Sequence, residues 1–166
     1  MAPLGDFGWN CYNSQALRQA AALGIVRQTL SMELSLPRIR ALRSPIDTEL
    51  LFYGHLPLMV MENCAIARSA GRCVCGDGGV HGLTDRKGEF FPLRALPGCR
   101  NELLNGRVLA LSDKPEMQRL GVPYGRLRFT IEPAARCAAV YRAYQTGAPL
   151  RDKRGITRGF YMRGVE

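Results

Sequence analysis

Four cysteines in the middle of the chain have the type and spacing of metal ligands. Cys64 is followed, after eight residues, by Cys73 and Cys75, and Cys99 comes after a short basic and aromatic segment. Deprotonated cysteine sulfur is a preferred ligand of zinc and of iron–sulfur clusters. The spacing is not the paired CxxC arrangement of a zinc ribbon, so free buried cysteines and disulfides stay open as alternatives.

Two further cysteines stand apart from this group. Cys11 matches no ligand pattern, and Cys137 lies among apolar positions of a predicted helix, which favours a core position. The chain has no basic-then-apolar secretory signal and no run near the roughly 20 apolar residues of a membrane helix. We therefore expect a cytoplasmic protein without a membrane partner, where six cysteines favour metal or catalytic thiols over disulfides.

The composition indicates one globular domain with a basic surface. The chain has 166 residues, 46% of them hydrophobic, and a net charge of +9. Nearly all of the basic residues are arginine, which suits contacts to phosphate, so RNA is a possible partner. The arginines are scattered, however, and no basic run reaches five residues, so charge alone does not establish an RNA-binding role.

The first third of the chain has the pattern of alternating strands and helices. We predict strands at 4–10, 26–34 and 48–53. Between them, a helix over 15–23 is capped by Ser14 and ended by Gly24, and a second helix starts at Ser35 with Pro37 in its first turn and reaches about Leu42. This order predicts parallel strands joined by right-handed crossovers.

Glycine, proline, cysteine and charged residues dominate the segment 54–112. A structureless segment of that length is unusual in a compact domain, so we predict that a metal site organises it. Within it, 88–93 resembles one arm of a hairpin and 102–111 a short apolar strand.

Regular patterns return after this segment. We predict a short helix over 115–120, capped by Ser112 and ended by Gly121. A strand follows through Leu127, Phe129 and Ile131, and then an amphipathic helix over 134–144. The tail, rich in arginine and glycine, is predicted to lie back on the domain.

These units amount to half of a (β/α)8 barrel, which takes roughly 250 residues. The predicted fold class is thus α/β, a partial TIM-barrel-like domain over 1–166 with an irregular cysteine-rich, metal-binding insertion at 54–112. A strand at a broken barrel edge exposes unpaired backbone groups. We therefore expect the missing N-terminal half, or another copy of the chain in a homo-oligomer, as a partner.

Several short motifs resemble the U32 peptidase family, also called collagenase-like proteases. They are YGHLPLM at 53–59, ENC at 62–64, LTDRKG at 83–88, FPL at 91–93 and CRNELLN at 99–105, flanked by GDFGWN at 5–10, YNS at 12–14, TRGFY at 157–161 and RGVE at 163–166. The resemblance spans essentially the whole chain. This chain has His55 where many relatives carry arginine.

The resemblance implies a TIM-barrel-like catalytic domain whose N-terminal strands are absent here. It also implies an iron–sulfur protein that hydroxylates RNA bases or a quinone precursor without oxygen. By motif position, Cys64, Cys73, Cys75 and Cys99 would hold a [4Fe–4S] cluster, with zinc as the alternative. The distance between the first two cysteines varies among subfamilies, which leaves open whether Cys73 and Cys75 are both ligands.

Reactive groups of such barrels lie at the C-terminal ends of the strands. We expect the polar residues at the strand ends and the cysteine segment to share one mouth of the barrel. Glu33 and His55 are the candidate catalytic residues, although a loop carboxylate and a hydrogen-bonded structural histidine are the simpler interpretations. The candidate substrate-binding residues are Asn10, Asn13 and Arg158, and Glu132 is a further polar residue at a strand end.

A peptidase of the same fold is the second hypothesis. The sequence has no Gly-x-Ser-x-Gly elbow and no His-Glu-x-x-His helix, and a Cys/His dyad would take a cysteine from the metal set. A non-catalytic RNA-binding module is the third hypothesis, and it rests on the arginine excess alone.

Overall fold

The computed structural model describes residues 2–162 and has a mixed α/β architecture with two sheets. The RGVE motif at 163–166 lies outside these residues. In chain order the elements are β1 (Leu4–Gly5), a 3-10 turn (Phe7–Trp9), α1 (Ser14–Ala22), β2 (Arg27–Thr29), α2 (Leu36–Ala41), β3 (Asp47–Gly54), β4 (Pro57–Met61), α3 (Ala65–Ala70), β5 (Gly82–Thr84), β6 (Phe90–Leu96), β7 (Arg100–Leu104), β8 (Val108–Ala110), α4 (Pro115–Gln118), β9 (Tyr124–Leu127), α5 (Ala134–Thr146) and β10 (Ile156–Thr157).

The first sheet has the order β1-β2-β3-β8-β10, with β9 also paired to β3. Strands β1, β2 and β3 are parallel, as predicted, and β9 is parallel to β3. Strand β8 runs antiparallel to β3, which the alternating pattern did not predict. The chain reaches β8 directly from the second sheet, so no crossover helix turns it to the parallel direction.

Helix α1 lies where predicted, but Asn13 caps it instead of Ser14. The Asn13 Oδ1 accepts the Ala16 N–H at 2.9 Å, and the Ser14 Oγ accepts the Arg43 N–H at 2.8 Å. Gly24 follows the helix with a left-handed φ of 82°. Helix α2 also begins as predicted. None of the helices within residues 2–162 is long and apolar enough to cross a bilayer.

Three predicted elements are shorter than expected. The strand at 4–10 is only Leu4–Gly5, because Leu4 and Trp9 are more than half exposed and the 3-10 turn takes over after Gly5. The strand at 26–34 is only Arg27–Thr29, and β9 ends at Leu127 before Phe129. Burial on one face helps to sustain a strand, and the flank of the first strand lacks it. The flank of the second is buried at Leu30 and Leu34, but beyond Thr29 only an isolated bridge from Leu30 to Cys11 continues the pairing.

Ser112 does not cap the short helix α4. Its hydroxyl donates to the Ala148 carbonyl at 2.7 Å, and α4 begins at Pro115 after Lys114. The prediction of a Ser112 cap is therefore wrong. The Ser112 hydroxyl bonds the Ala148 carbonyl because the fold brings the loop after α5 next to it.

Two clusters of buried apolar side chains pack the helices against the first sheet. The larger one joins α1 and α2 to β3 and includes the buried Leu17, Leu50 and Tyr161. The smaller one packs α5 on β3 and β8. The Tyr161 hydroxyl donates to the Leu51 carbonyl at 3.1 Å, and β10 pairs with β8, so the tail does lie back on the domain as predicted.

The second sheet is antiparallel, with the order β4-β7-β6-β5. The expectation that 54–112 is irregular is therefore wrong for these four strands, although the hairpin arm at 88–93 is confirmed by the pairing of β6 with β5. The predicted strand at 102–111 is two strands, β7 and β8, separated by a turn. The longest stretch of the segment without a helix or strand is 71–81, and it carries Cys73 and Cys75.

Candidate functional site

Cys64 lies where β4 ends and α3 begins. It is the N-cap residue of α3, and its Sγ accepts the Ala67 N–H at 3.3 Å. This hydrogen bond favours the thiolate and lowers the pKa of the Cys64 thiol. The local fold thus favours the thiolate form of Cys64.

Cys75 contacts Cys64 from the loop 71–81. The two Sγ atoms are 3.8 Å apart. Loss of solvent, and then the neighbouring Cys64 and Cys73 side chains, raise the pKa of Cys75 to about 11. The Cys73 side chain, which is exposed, is thus close enough to Cys75 to affect its pKa. A metal binding here would displace the protons that these thiols retain.

Cys99 reaches the same end of the second sheet from the turn between β6 and β7. It has a left-handed φ of 56°, and its side chain is exposed. The antiparallel register pairs Met61 with Asn101, so the continuation of both strands brings Cys99 towards the segment that leads into Cys64. The Asn101 Oδ1 accepts the Ile66 N–H at 3.4 Å, which ties α3 to β7 at this end.

The thiols present fit part of a metal site. Two sulfurs that each lie about 2.3 Å from one tetrahedral ion are roughly 3.8 Å apart, which matches the Cys64–Cys75 separation. Across residues 2–162, no three His, Cys, Asp or Glu side chains are grouped so that they could hold a metal ion. The structure therefore brings only Cys64 and Cys75 of the four into side-chain contact, and Cys73 and Cys99 are exposed.

Two adjoining cavities open beside the cysteines. One, of about 530 Å³, is lined by Cys75 and His81, and the other, of about 580 Å³, is lined by His55 and Tyr53. The four residues 80 and 131–133 line both cavities. Volumes of this size are typical of small-molecule sites.

His55 is a buried residue that follows β3. Its Nδ1 lies 2.7 Å from the Asn105 carbonyl oxygen, which can only accept a hydrogen bond. The proton therefore belongs on Nδ1, and Nε2 is left as an acceptor. Burial lowers the pKa of His55, so the imidazole is neutral at pH 7.

The stability of the protein is expected to decrease as the pH falls from about 7.5 to about 5.5. The folded state binds a proton at His55 less readily than the unfolded state, so acid favours unfolding. Asp77 and Asp113 have lowered pKa values and titrate below this range. Urea unfolding at both pH values measures the effect. His55→Gln should reduce it, and an unchanged pH dependence in that variant would contradict the assignment.

Glu132 lies between the two cavities. Its Oε2 accepts the N–H groups of Thr130 and Ile131 at 2.7 and 3.0 Å. Its Oε1 is buried and has no hydrogen-bond partner among the described residues. Burial first, and then the Glu132 charge, raise the pKa of Tyr53 to about 12. Glu132 and the neutral Nε2 of His55 thus offer two acceptors to a bound molecule.

No protein-family model matches this chain, and no solved structure matches it.

The other candidate residues lie away from these cavities. Asn10 has a left-handed φ of 48° after the 3-10 turn, Asn13 caps α1, and Glu33 is exposed after β2. Arg158 forms a two-pronged ion pair with Asp113, at 2.5 and 2.8 Å. The expected common mouth therefore includes His55 and Glu132 but not Asn10, Asn13 or Glu33.

The two separate cysteines are not part of the site. Cys11 is buried, which raises the pKa of its thiol, and its backbone forms an isolated parallel β-bridge with Leu30. Cys137 is half-buried in α5, where its Sγ lies 3.7 Å from the Glu132 carbonyl oxygen. Its predicted core position is thus only partly correct.

Sequence reasoning missed the basic side of the His55 cavity. Arg136, Asp152 and Arg154 line it, and the first two form an ion pair at 3.3 Å. The sequence RDKR at 151–154 is the one local signal of this group. It is shorter than the basic runs that indicate polyanion binding, so it attracted no functional interpretation.

Proposed function

We propose that this chain is the cysteine-bearing part of a U32-type enzyme, a partial TIM-barrel-like domain that uses an iron–sulfur cluster to hydroxylate RNA bases or a quinone precursor. The observation that carries a metal site is the 3.8 Å contact of Cys64 and Cys75 beside a cavity that continues to His55, and the motif resemblance is what favours a cluster over zinc. The parallel strands β1 to β3 with α1 and α2 support the half-barrel.

The proposed partner is the missing N-terminal half of the domain, or a second copy of the chain. Strand β1 is at the end of the sheet order and is only two residues long. A parallel strand added at this edge would extend the barrel and cover the exposed Leu4.

The chain's own residues have separable roles in this proposal. The four cysteines would hold the cluster, which when bound would supply one-electron redox chemistry. The neutral His55 orients the substrate and accepts a hydrogen bond at Nε2. The carboxylate of Glu132 provides the second acceptor, and the buried position of Tyr53 and His55 excludes water from the cavity floor.

Zinc is the alternative metal, and the Sγ separation of 3.8 Å favours two ligands on one ion. Each iron of a [4Fe–4S] cluster takes one cysteine, so cluster binding requires these two sulfurs to move apart. A cysteine peptidase has less support. Cys64 has the lowered pKa that a nucleophilic thiol needs, but its Sγ contacts Cys75 and the Ala67 N–H and hydrogen-bonds to no histidine of the described structure.

Anaerobic purification with iron, sulfide and zinc analysis tests the proposal. We expect about four iron and four sulfide ions per chain, the content of one [4Fe–4S] cluster. Cys64→Ser and Cys99→Ser should each lose most of the metal, because each removes one ligand. Cys137→Ser is the matched control, and it should keep the metal.

Other outcomes separate the alternatives. Stoichiometric zinc without iron would support the zinc site, and a colourless, metal-free protein with six free thiols would overturn the proposal. Cleavage of denatured collagen that survives both Cys64→Ser and Cys99→Ser would favour the peptidase. Salt-dependent RNA binding without any metal would favour the RNA-binding module.

A further inference from the structure

The side chains of the cavity beside His55 carry a net positive charge. Four cationic side chains and two carboxylates line it. Arg136 and the segment 151–154 form its cationic end, where Arg136 Nη2 donates to the Arg151 carbonyl and pairs with Asp152. Glu132 and His55 line the same cavity.

Asp152 does not neutralise this cationic end. Its Oδ2 lies 3.3 Å from Arg136 Nη2, and its Oδ1 lies 4.0 Å from Arg154 Nε, so one carboxylate serves two guanidinium groups. Arg151 and Lys153 make no ion pair with any described side chain, and both are exposed. The cationic end therefore has an excess of positive charge and free donors for an anionic ligand.

The walls and floor of the cavity define the rest of the ligand. The Arg154 guanidinium lies 5.7 Å from the centre of the Phe90 ring, and Val80, Ile131 and Pro133 add apolar surface. Glu132 Oε1 is a buried acceptor without a protein donor in the described structure, and the tautomer of His55 leaves its Nε2 as a second acceptor. A planar apolar body with an anion at one end and a hydroxyl or amine at the other complements this arrangement.

We infer that the His55 cavity binds a small molecule that carries an oxyanion, a carboxylate or a phosphate, on a planar apolar body. The oxyanion lies against Arg154 and Lys153, and the ring lies against Phe90. This inference deepens the proposed function, because it names the ligand class of the same site. It concerns binding, and it does not require the metal.

Isothermal titration of the protein as purified tests this inference with three probes: phenyl phosphate, benzoate and the neutral benzamide. We expect saturable binding of at least one of the two anions and none of benzamide. Stronger binding of phenyl phosphate would assign the cationic end to phosphate, and stronger binding of benzoate would assign it to carboxylate. Equal binding of all three probes, or no binding of either anion, would overturn the inference.

Substitutions locate the binding to the cavity. Arg154→Gln should weaken the preferred anion about tenfold, because it removes a charge-assisted hydrogen bond. Arg119→Gln, at an exposed arginine after α4, is the matched control and should bind as the original chain does. An Arg154→Gln variant that folds, by its circular dichroism, and binds unchanged would also overturn the inference.

The same titration with Cys64→Ser separates this inference from the proposed function. A variant that loses the metal but still binds the anion shows that the cavity works without the metal. If the unsubstituted protein holds iron and sulfide but binds no anion, the inference is wrong and the metal proposal is unaffected.

Discussion

Replacing Tyr161 with alanine is expected to lower the free energy of unfolding by about 3–5 kcal/mol. Tyr161 is one of the largest fully buried side chains and belongs to the larger apolar cluster. Its removal leaves a cavity under the sheet and leaves the Leu51 carbonyl without the hydroxyl that donates to it at 3.1 Å. Urea unfolding followed by circular dichroism measures the loss.

The neighbouring residue provides a matched control. Phe160 is 41% exposed, so Phe160→Ala should cost no more than about 1 kcal/mol. Tyr161→Phe keeps the ring and isolates the hydrogen bond, at about 1 kcal/mol. If Tyr161→Ala were as mild as Phe160→Ala, the tail would not be docked on the domain in solution.

The α/β part of the fold could be predicted because its signals are local. Helix α1 has buried Leu17 and Ala20 on one face and a left-handed glycine after its end. Strand β3 is a continuous run with buried positions on both faces, as a central parallel strand requires. The element boundaries shifted where one polar side chain replaced another, as Asn13 did for Ser14.

The second sheet could not be predicted because its strands lack alternation. In β4, Leu58, Met59 and Val60 are all about half exposed, since the strand lies at the edge of its sheet. No period of two survives such a pattern, and β5 is only three residues long. Pairing of these strands depends on tertiary contacts that sequence patterns do not reveal.

The site divides in the same way. The cysteines were identifiable from residue type, and a helix N-terminus and a loop bring Cys64 and Cys75 together. Arg136 and Asp152 were not identifiable, because α5 and the loop after it meet at His55 only through the packing of α5 on β3. Residues far apart in the chain, without a motif of their own, are assembled by the fold alone.

Glu102→Ala is expected to lower the free energy of unfolding by about 3 kcal/mol, because it leaves the largely buried Arg128 guanidinium without its carboxylate. Glu102 of β7 is buried, and its Oε2 lies 3.0 Å from both Arg94 Nε and Arg128 Nη2. Arg128 follows β9 of the first sheet, so this ion pair joins the two sheets. Thermal and urea unfolding both report the loss.

The control is an exposed carboxylate in the same sheet region. The Glu62 side chain is 80% exposed and lies 3.8 Å from Arg100, so Glu62→Ala should cost less than about 1 kcal/mol. If both variants lost the same free energy of unfolding, the Glu102 ion pair would not stabilise the contact between the sheets.

The Glu102 ion pair also supports the floor of the His55 cavity. Arg128 Nη1 donates to the His55 carbonyl at 2.8 Å, while its Nη2 is held by Glu102. Loss of Glu102 frees this guanidinium, so the His55 backbone loses a fixed donor. Glu102→Ala should therefore weaken the binding of the preferred anionic probe as well as stability, whereas Glu62→Ala should change neither. A Glu102→Ala protein that is less stable but binds the probe unchanged would show that the ion pair holds the two sheets together without fixing the shape of the cavity.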